Sequence, residues 1–137
     1  MKNLLVKTLL ALLLLANAAF AAGPIPAENE TAPAGPDPVK LVGRWLRPDG
    51  GYILQLSDPI PDGLLQAEYF NPRPINVAQA AWKHQEGYLG VFVELRAPNY
   101  PGSTYTLVYD PDRDRLVGIY FQAALQQQFE VVFERIP

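Results

Sequence analysis

The chain contains no cysteine. That excludes disulfides, a thiolate nucleophile, a cysteine-based metal site and a lipid-bearing cysteine behind a leader. It has a single histidine, His84, so a multi-histidine metal centre is also excluded. No G-x-S-x-G elbow surrounds Ser57 or Ser103, and a triad would have to rely on His84 alone. Positive charge is in the minority. Eleven Lys and Arg stand against fourteen Asp and Glu, all of the acidic residues beyond residue 21. This argues against nucleic acid or an anionic membrane as the main partner. Helical periodicity is lacking too: no stretch sustains it over three turns.

What is present begins with an export signature. Lys2 and Lys7 precede an apolar run over residues 9–15, and Ala19, Phe20 and Ala21 form a small-x-small cleavage site before Ala22. Residues 1–21 thus read as a signal peptide, and the mature protein is expected in the periplasm or secreted. The run is short for a spanning helix, which needs about 20 residues. No stable membrane insertion is therefore expected after cleavage; a retained anchor is the alternative. Residues 22–38 hold five prolines and almost no large apolar side chain. Such a stretch has little to bury against its ordering entropy and reads as a disordered or polyproline-like leader.

From residue 39 short runs of Leu, Val, Ile, Tyr and Phe alternate with turn clusters. The pattern predicts eight strands, over residues 41–46, 52–57, 64–71, 75–84, 88–97, 103–109, 116–122 and 127–135. The connections carry turn residues, among them "RPDGG", "NPRP", "PNYPG" and "DPDRDR". "AALQQ" is open between a turn and one helical turn. A single antiparallel up-and-down meander over 39–137 can close into an all-β barrel, which removes both exposed edges. Alternation puts Leu65, Ala67, Tyr69 and Asn71 on one face, with Gln66 and Glu68 on the other. Leu89, Val91, Val93 and Leu95 form a second such row, and Phe129, Val131 and Phe133 a third.

"LQAEYFN" is echoed by "LVGIYFQ". In both, Leu, a small residue, Tyr and an amide alternate. Either these are two ordinary hairpin strands, or Tyr69, Asn71, Tyr120 and Gln122 line a shared polar mouth. The odd-to-even hairpin connections fall at one end of the meander. They bring Arg47, Arg73 and Tyr100 to that same end. Arg73 sits between Pro72 and Pro74, which cannot donate to a ladder and are expected to end the pairing there. Its backbone is stiff, so the guanidinium is held with little entropy left to lose. The candidate ligand-binding residues are therefore Arg47, Tyr69, Asn71, Arg73, Tyr100, Tyr120 and Gln122.

Asp110, Asp112 and Asp114 alternate as in a calcium loop. Arg115 stands where such a loop needs its sixth-position Gly, and Phe121 where it needs its twelfth-position Glu. A hairpin turn, its carboxylates neutralised by Arg113 and Arg115, is the expectation. No metal site and no cofactor are predicted.

"LVGRWL" opens the first strand with Gly43-x-Trp45, and the last strand closes with Arg135. This pairing resembles the calycin group, the lipocalins and avidin-like proteins. The resemblance implies Trp45 near the closed end of the barrel with Arg135 packed across it as a cation–π contact. It does not carry biotin binding over. Arg47 and Gly51 stand where avidin-like proteins place polar biotin contacts, and Trp82 lies in a different strand from their later tryptophans. The expectation is an exported, non-enzymatic barrel that binds a small, partly anionic ligand at its open end. The alternative is a protein-interaction module of the cell envelope, an inhibitor or assembly factor acting through its loops.

Overall fold

A computed structural model describes residues 35–137. The signal peptide over 1–21 and the leader up to residue 34 lie outside the described residues. The alternating segments form one antiparallel sheet of nine strands: β1 (Gly43–Arg47), β2 (Tyr52–Ser57), β3 (Gln66–Asn71), β4 (Arg73–Ile75), β5 (Val77–Gln85), β6 (Tyr88–Ala97), β7 (Tyr100–Asp110), β8 (Arg115–Gln122) and β9 (Gln127–Ile136). Their spatial order is β4-β3-β2-β1-β9-β8-β7-β6-β5. Each strand pairs with its sequence neighbour except at the β4–β5 step, and β1 pairs with β9. The meander thus curls into a nearly closed all-β barrel.

The strand count corrects the expectation of eight. The segment predicted as one strand over 75–84 begins at Arg73 and is split at Asn76. Its first part pairs back on β3, and its second pairs forward with β6. Asn76 makes the step between partners. Its backbone carbonyl accepts from Arg96 N–H at 3.0 Å, and its side-chain amide donates to the Arg96 carbonyl at 3.1 Å. A register irregularity follows between Val77 and Gln79. The prolines do not end the ladder as predicted. Pro74 lies in it, opposite Phe70. β4 is an end strand of the sheet, where one side of the backbone needs no partner and a missing N–H costs nothing.

Beyond this end strand the barrel is drawn together by a few contacts. Leu64 bridges Ala81, and Trp82 N–H donates to the Gly63 carbonyl at 2.8 Å. The Trp82 indole N–H donates to the Ile60 carbonyl at 2.9 Å. "AALQQ" resolves as a turn over residues 123–126, and "DPDRDR" as the β7–β8 turn. In the latter, Asp110 accepts from the Asp112 and Arg113 backbone N–H groups and pairs with Arg113 and Arg115.

The inward rows fill the barrel. Leu54, Leu56, Leu89, Val91, Val93, Leu95, Leu107, Leu116 and Phe133 are all buried. Leu41, in a 3-10 turn that covers the closed end, completes the floor. Trp45 is fully buried there, and its indole N–H donates to the Leu41 carbonyl at 2.9 Å. Arg135 stands over Trp45, 4.2 Å from the ring centroid, as the Gly-x-Trp pattern implied. Gly43 makes room for it. Its φ is +142°, and a Cβ there would come within 2.5 Å of the Arg135 guanidinium. Only glycine combines that backbone with that approach.

Candidate functional site

The opposite end gathers the β1–β2, β3–β4, β6–β7 and β8–β9 connections. There the inward face changes from aliphatic to tyrosine. The alternation that places Leu54 and Leu56 inside also places Tyr52 inside, one step nearer the mouth. The same step carries Leu107 to Tyr105, and two steps, past Gly118, carry Leu116 to Tyr120. At this end lies a pocket of about 390 Å³ lined by Arg47, Tyr52, Tyr69, Asn99, Tyr100, Tyr120, Gln122 and Phe129, with Tyr105 buried behind it.

Arg47 is the organising residue. Its guanidinium grips Asp49 through two N–H···O bonds of 2.7 and 3.0 Å. A third nitrogen donates to the Tyr105 hydroxyl at 2.9 Å. The Tyr52 and Tyr120 rings lie 4.9 and 5.3 Å from its central carbon. Burial works against the Arg47 charge, but Asp49 and Tyr105 together outweigh it and push the pKa further up. Arg47 is therefore a permanent, immobilised cation whose charge is largely matched by Asp49.

Below it, the Tyr69 and Tyr105 hydroxyls are 2.7 Å apart. Both residues are buried. Burial pushes the Tyr69 phenol well up, and Tyr105 adds to the effect. Burial also raises Tyr105, to about 12, with Tyr69 and Arg47 pulling the other way. Both are neutral at ordinary pH. Two phenol protons serve one mutual bond, and Tyr105 already accepts from Arg47. One phenolic proton therefore remains for another acceptor. The tyrosine rings also support one another: Tyr105 stacks on Tyr120 at 4.5 Å, and Tyr69 lies 6.1 Å from Tyr52 at a shallow angle.

Five of the seven residues singled out from sequence line this pocket: Arg47, Tyr69, Tyr100, Tyr120 and Gln122. Asn71 is on the rim, where its amide donates to the Tyr100 hydroxyl at 2.6 Å. Arg73 is opposite Asn71 in the β3–β4 register and shares its face, but it is exposed and outside the lining. It forms no ion pair among the described residues. Sequence reasoning missed Tyr52, Asn99 and Tyr105, and placed Phe129 inside without assigning it to the mouth. Tyr52 and Tyr105 carried a signal, since each heads an alternating apolar row. Asn99 carried only its place in a turn.

Among the described residues no group of three or more His, Asp or Glu is placed to hold a metal ion, and no helix is long and apolar enough to cross a membrane. A nearly closed antiparallel barrel with Arg135 over Trp45 is compatible with a calycin-like fold. Comparison with family models, with curated proteins and with solved structures gives no match to this chain.

Proposed function

We propose that this protein is an exported, non-enzymatic barrel of calycin-like type whose tyrosine-lined mouth binds a small, partly anionic ligand. One observation carries the reading: a preorganised cup of about 390 Å³ in which Arg47, stacked between tyrosines, sits above a surplus phenolic donor. The tyrosine rings offer an apolar, planar surface, and the few convergent polar groups would fix orientation. Asp49 matches most of the Arg47 charge, so the buried end of the ligand is the neutral one. Its acidic group faces outward to Arg73, whose guanidinium suits a carboxylate. The signal-like residues 1–21 support a periplasmic or secreted location.

Native mass spectrometry of protein recovered from its own periplasm tests the reading. A retained small molecule that is lost in a Tyr69→Phe chain is the expected result. A chain that carries no small molecule, and takes up none from a cell extract, would remove it.

The second reading is an envelope protein-interaction module. It is favoured by the filling of the barrel below the mouth, where Trp45, Leu54, Leu95 and Phe133 leave the binding volume shallow. In the same measurement this reading expects a partner protein.

A further inference from the structure

The outer face of β5, β6 and β7 differs from the rest of the barrel exterior. Outward positions on β3 and β9 are mostly polar: Gln66, Glu68, Gln128 and Glu130 are exposed, beside the half-buried Phe70 and Val132. On β5 to β7 the outward row runs from Leu64 through Ala81 and Phe92 to Thr106. The next row holds Lys83, Gly90 and Val108. Ala81, Phe92, Thr106, Lys83, Gly90 and Val108 help bound a depression of about 550 Å³, larger than the mouth, and Leu64 lies beside it. Leu64 is 51% exposed and Tyr88 61%. An apolar hollow with large exposed side chains around it is the kind of surface that proteins use for contact.

Gly90 lines the hollow, and the fold does not require glycine there. Gly90 is absent from the glycines of positive φ. A Cβ on it would meet the Leu107 carbonyl oxygen at 3.6 Å, an ordinary contact. Gly118 is the contrast: a Cβ there would fall 2.0 Å from the Thr106 carbonyl oxygen. Glycine in mid-strand weakens a sheet, and where the backbone does not need it, it often marks the approach of another surface.

We propose that this face binds a second copy of the chain through a two-fold contact. The patch carries both halves of its own complement. Tyr88 is a projecting aromatic knob two residues from the Gly90 hollow on the same strand. A two-fold axis would set the Tyr88 of each copy into the hollow of the other. Lys83 and Glu86 both border the depression, and neither forms an ion pair among the described residues. The same axis would bring Lys83 of one copy toward Glu86 of the other. Tyrosine is also among the side chains enriched at the energetic centres of such contacts. This inference is independent of the ligand proposed for the mouth.

Analytical ultracentrifugation of the full exported chain tests it, with a thermal melt on each variant. The wild type is expected to be a dimer at micromolar concentration. Gly90→Val fills the hollow and should leave the fold intact while raising the dimer Kd at least about tenfold. Lys83→Glu should weaken the dimer by a similar factor, and Lys83→Glu with Glu86→Lys should restore it. The charge pair decides the matter whether or not valine is tolerated. A wild-type chain that stays monomeric at on the order of 100 μM overturns the proposal. So does a double variant no tighter than Lys83→Glu alone.

Discussion

Arg135 and Trp45 are register partners across the β1–β9 seam, and the guanidinium stands 4.2 Å from the Trp45 ring centroid. The contact is one part of a larger clasp. Arg135 also binds Asp114 through two nitrogens, at 2.7 and 3.0 Å, and donates to the Lys40 and Val42 carbonyls at 2.6 and 2.7 Å. One side chain thus ties the last strand to the first strand, the β7–β8 turn and the segment under the barrel floor. Arg135→Ala is expected to lower unfolding free energy by about 1–3 kcal/mol, the sum of a modest cation–π contact and several partly exposed hydrogen bonds. Urea denaturation measures it. Arg135→Lys should recover only part, because an ammonium cannot fork across both Asp114 oxygens.

Gly43→Ala should be costly although the change is one methyl group. The residue would be held at φ +142° with its Cβ 2.5 Å from Arg135. A loss of about 1–3 kcal/mol is expected from backbone strain and the displaced guanidinium. In an Arg135→Ala background the same substitution should cost less, since the clash is gone and only the strain remains. Equal costs in both backgrounds would mean that Gly43 does not serve Arg135.

Acid should loosen the same clasp. The Arg135 guanidinium beside Asp114 holds its carboxyl below the usual carboxylate range. An unfolded chain binds a proton there more readily than the folded one does. The stabilisation is therefore complete above the ordinary Asp pKa of about 3.9 and is lost as pH falls through the lowered value. Asp114→Asn should make the stability profile flatter below about pH 4 than that of the wild type.

How far the sequence disclosed this arrangement can be read from individual residues. Alternation placed the Leu89, Val91, Val93 and Leu95 row correctly, because a half-buried strand allows only one inward face. It carried Arg47, Tyr69, Tyr100, Tyr120 and Gln122 to one mouth because hairpin connections alternate between the two ends. The ninth strand was hidden. Whether a strand keeps one partner or changes partner at Asn76 depends on barrel closure, a long-range property that no local pattern encodes. The prolines misled for a related reason. Pro74 is disfavoured in a paired central strand but tolerated in an end strand, and only the order of the whole sheet reveals which one β4 is. Tyr105 was missed because its value lies in its neighbours, Arg47 and Tyr69, which are 58 and 36 residues away.

The buried phenols make a prediction at the alkaline end. Tyr69, Tyr105 and Tyr120 are all raised, chiefly by burial. Above the ordinary phenol pKa of about 10, the unfolded chain releases protons that the folded chain keeps. Their contribution to stability is present below that pH and is lost as pH rises through the folded values. Absorbance at the phenolate wavelength should therefore rise in two stages, the second coinciding with unfolding. In Tyr69→Phe with Tyr105→Phe the second stage should shrink by two phenols. A single smooth titration of all tyrosines near the ordinary value would contradict the buried pair.

Arg73 separates a corner from a contact. Pro72 forms the tip between Asn71 and Arg73, and Pro74 continues the ladder against Phe70. The hairpin therefore does not need the Arg73 side chain. Arg73→Ala is expected to fold and melt like the wild type, within about 0.5 kcal/mol, as exposed substitutions do. Its effect should appear in binding. With 4-hydroxybenzoate as a probe, whose ring fits the tyrosine cup and whose carboxylate would reach the rim, the affinity should fall about tenfold, the equivalent of one charge-assisted pair. Tyr69→Phe should weaken the same probe by removing the pocket-lining hydroxyl of the Tyr69–Tyr105 pair. Two-dimensional NMR titration reads both variants. If Arg73→Ala leaves the affinity unchanged while Tyr69→Phe lowers it, the mouth binds ligands without the rim cation and the acidic group is not part of recognition. If neither changes it, the probe binds elsewhere and the mouth is not the site.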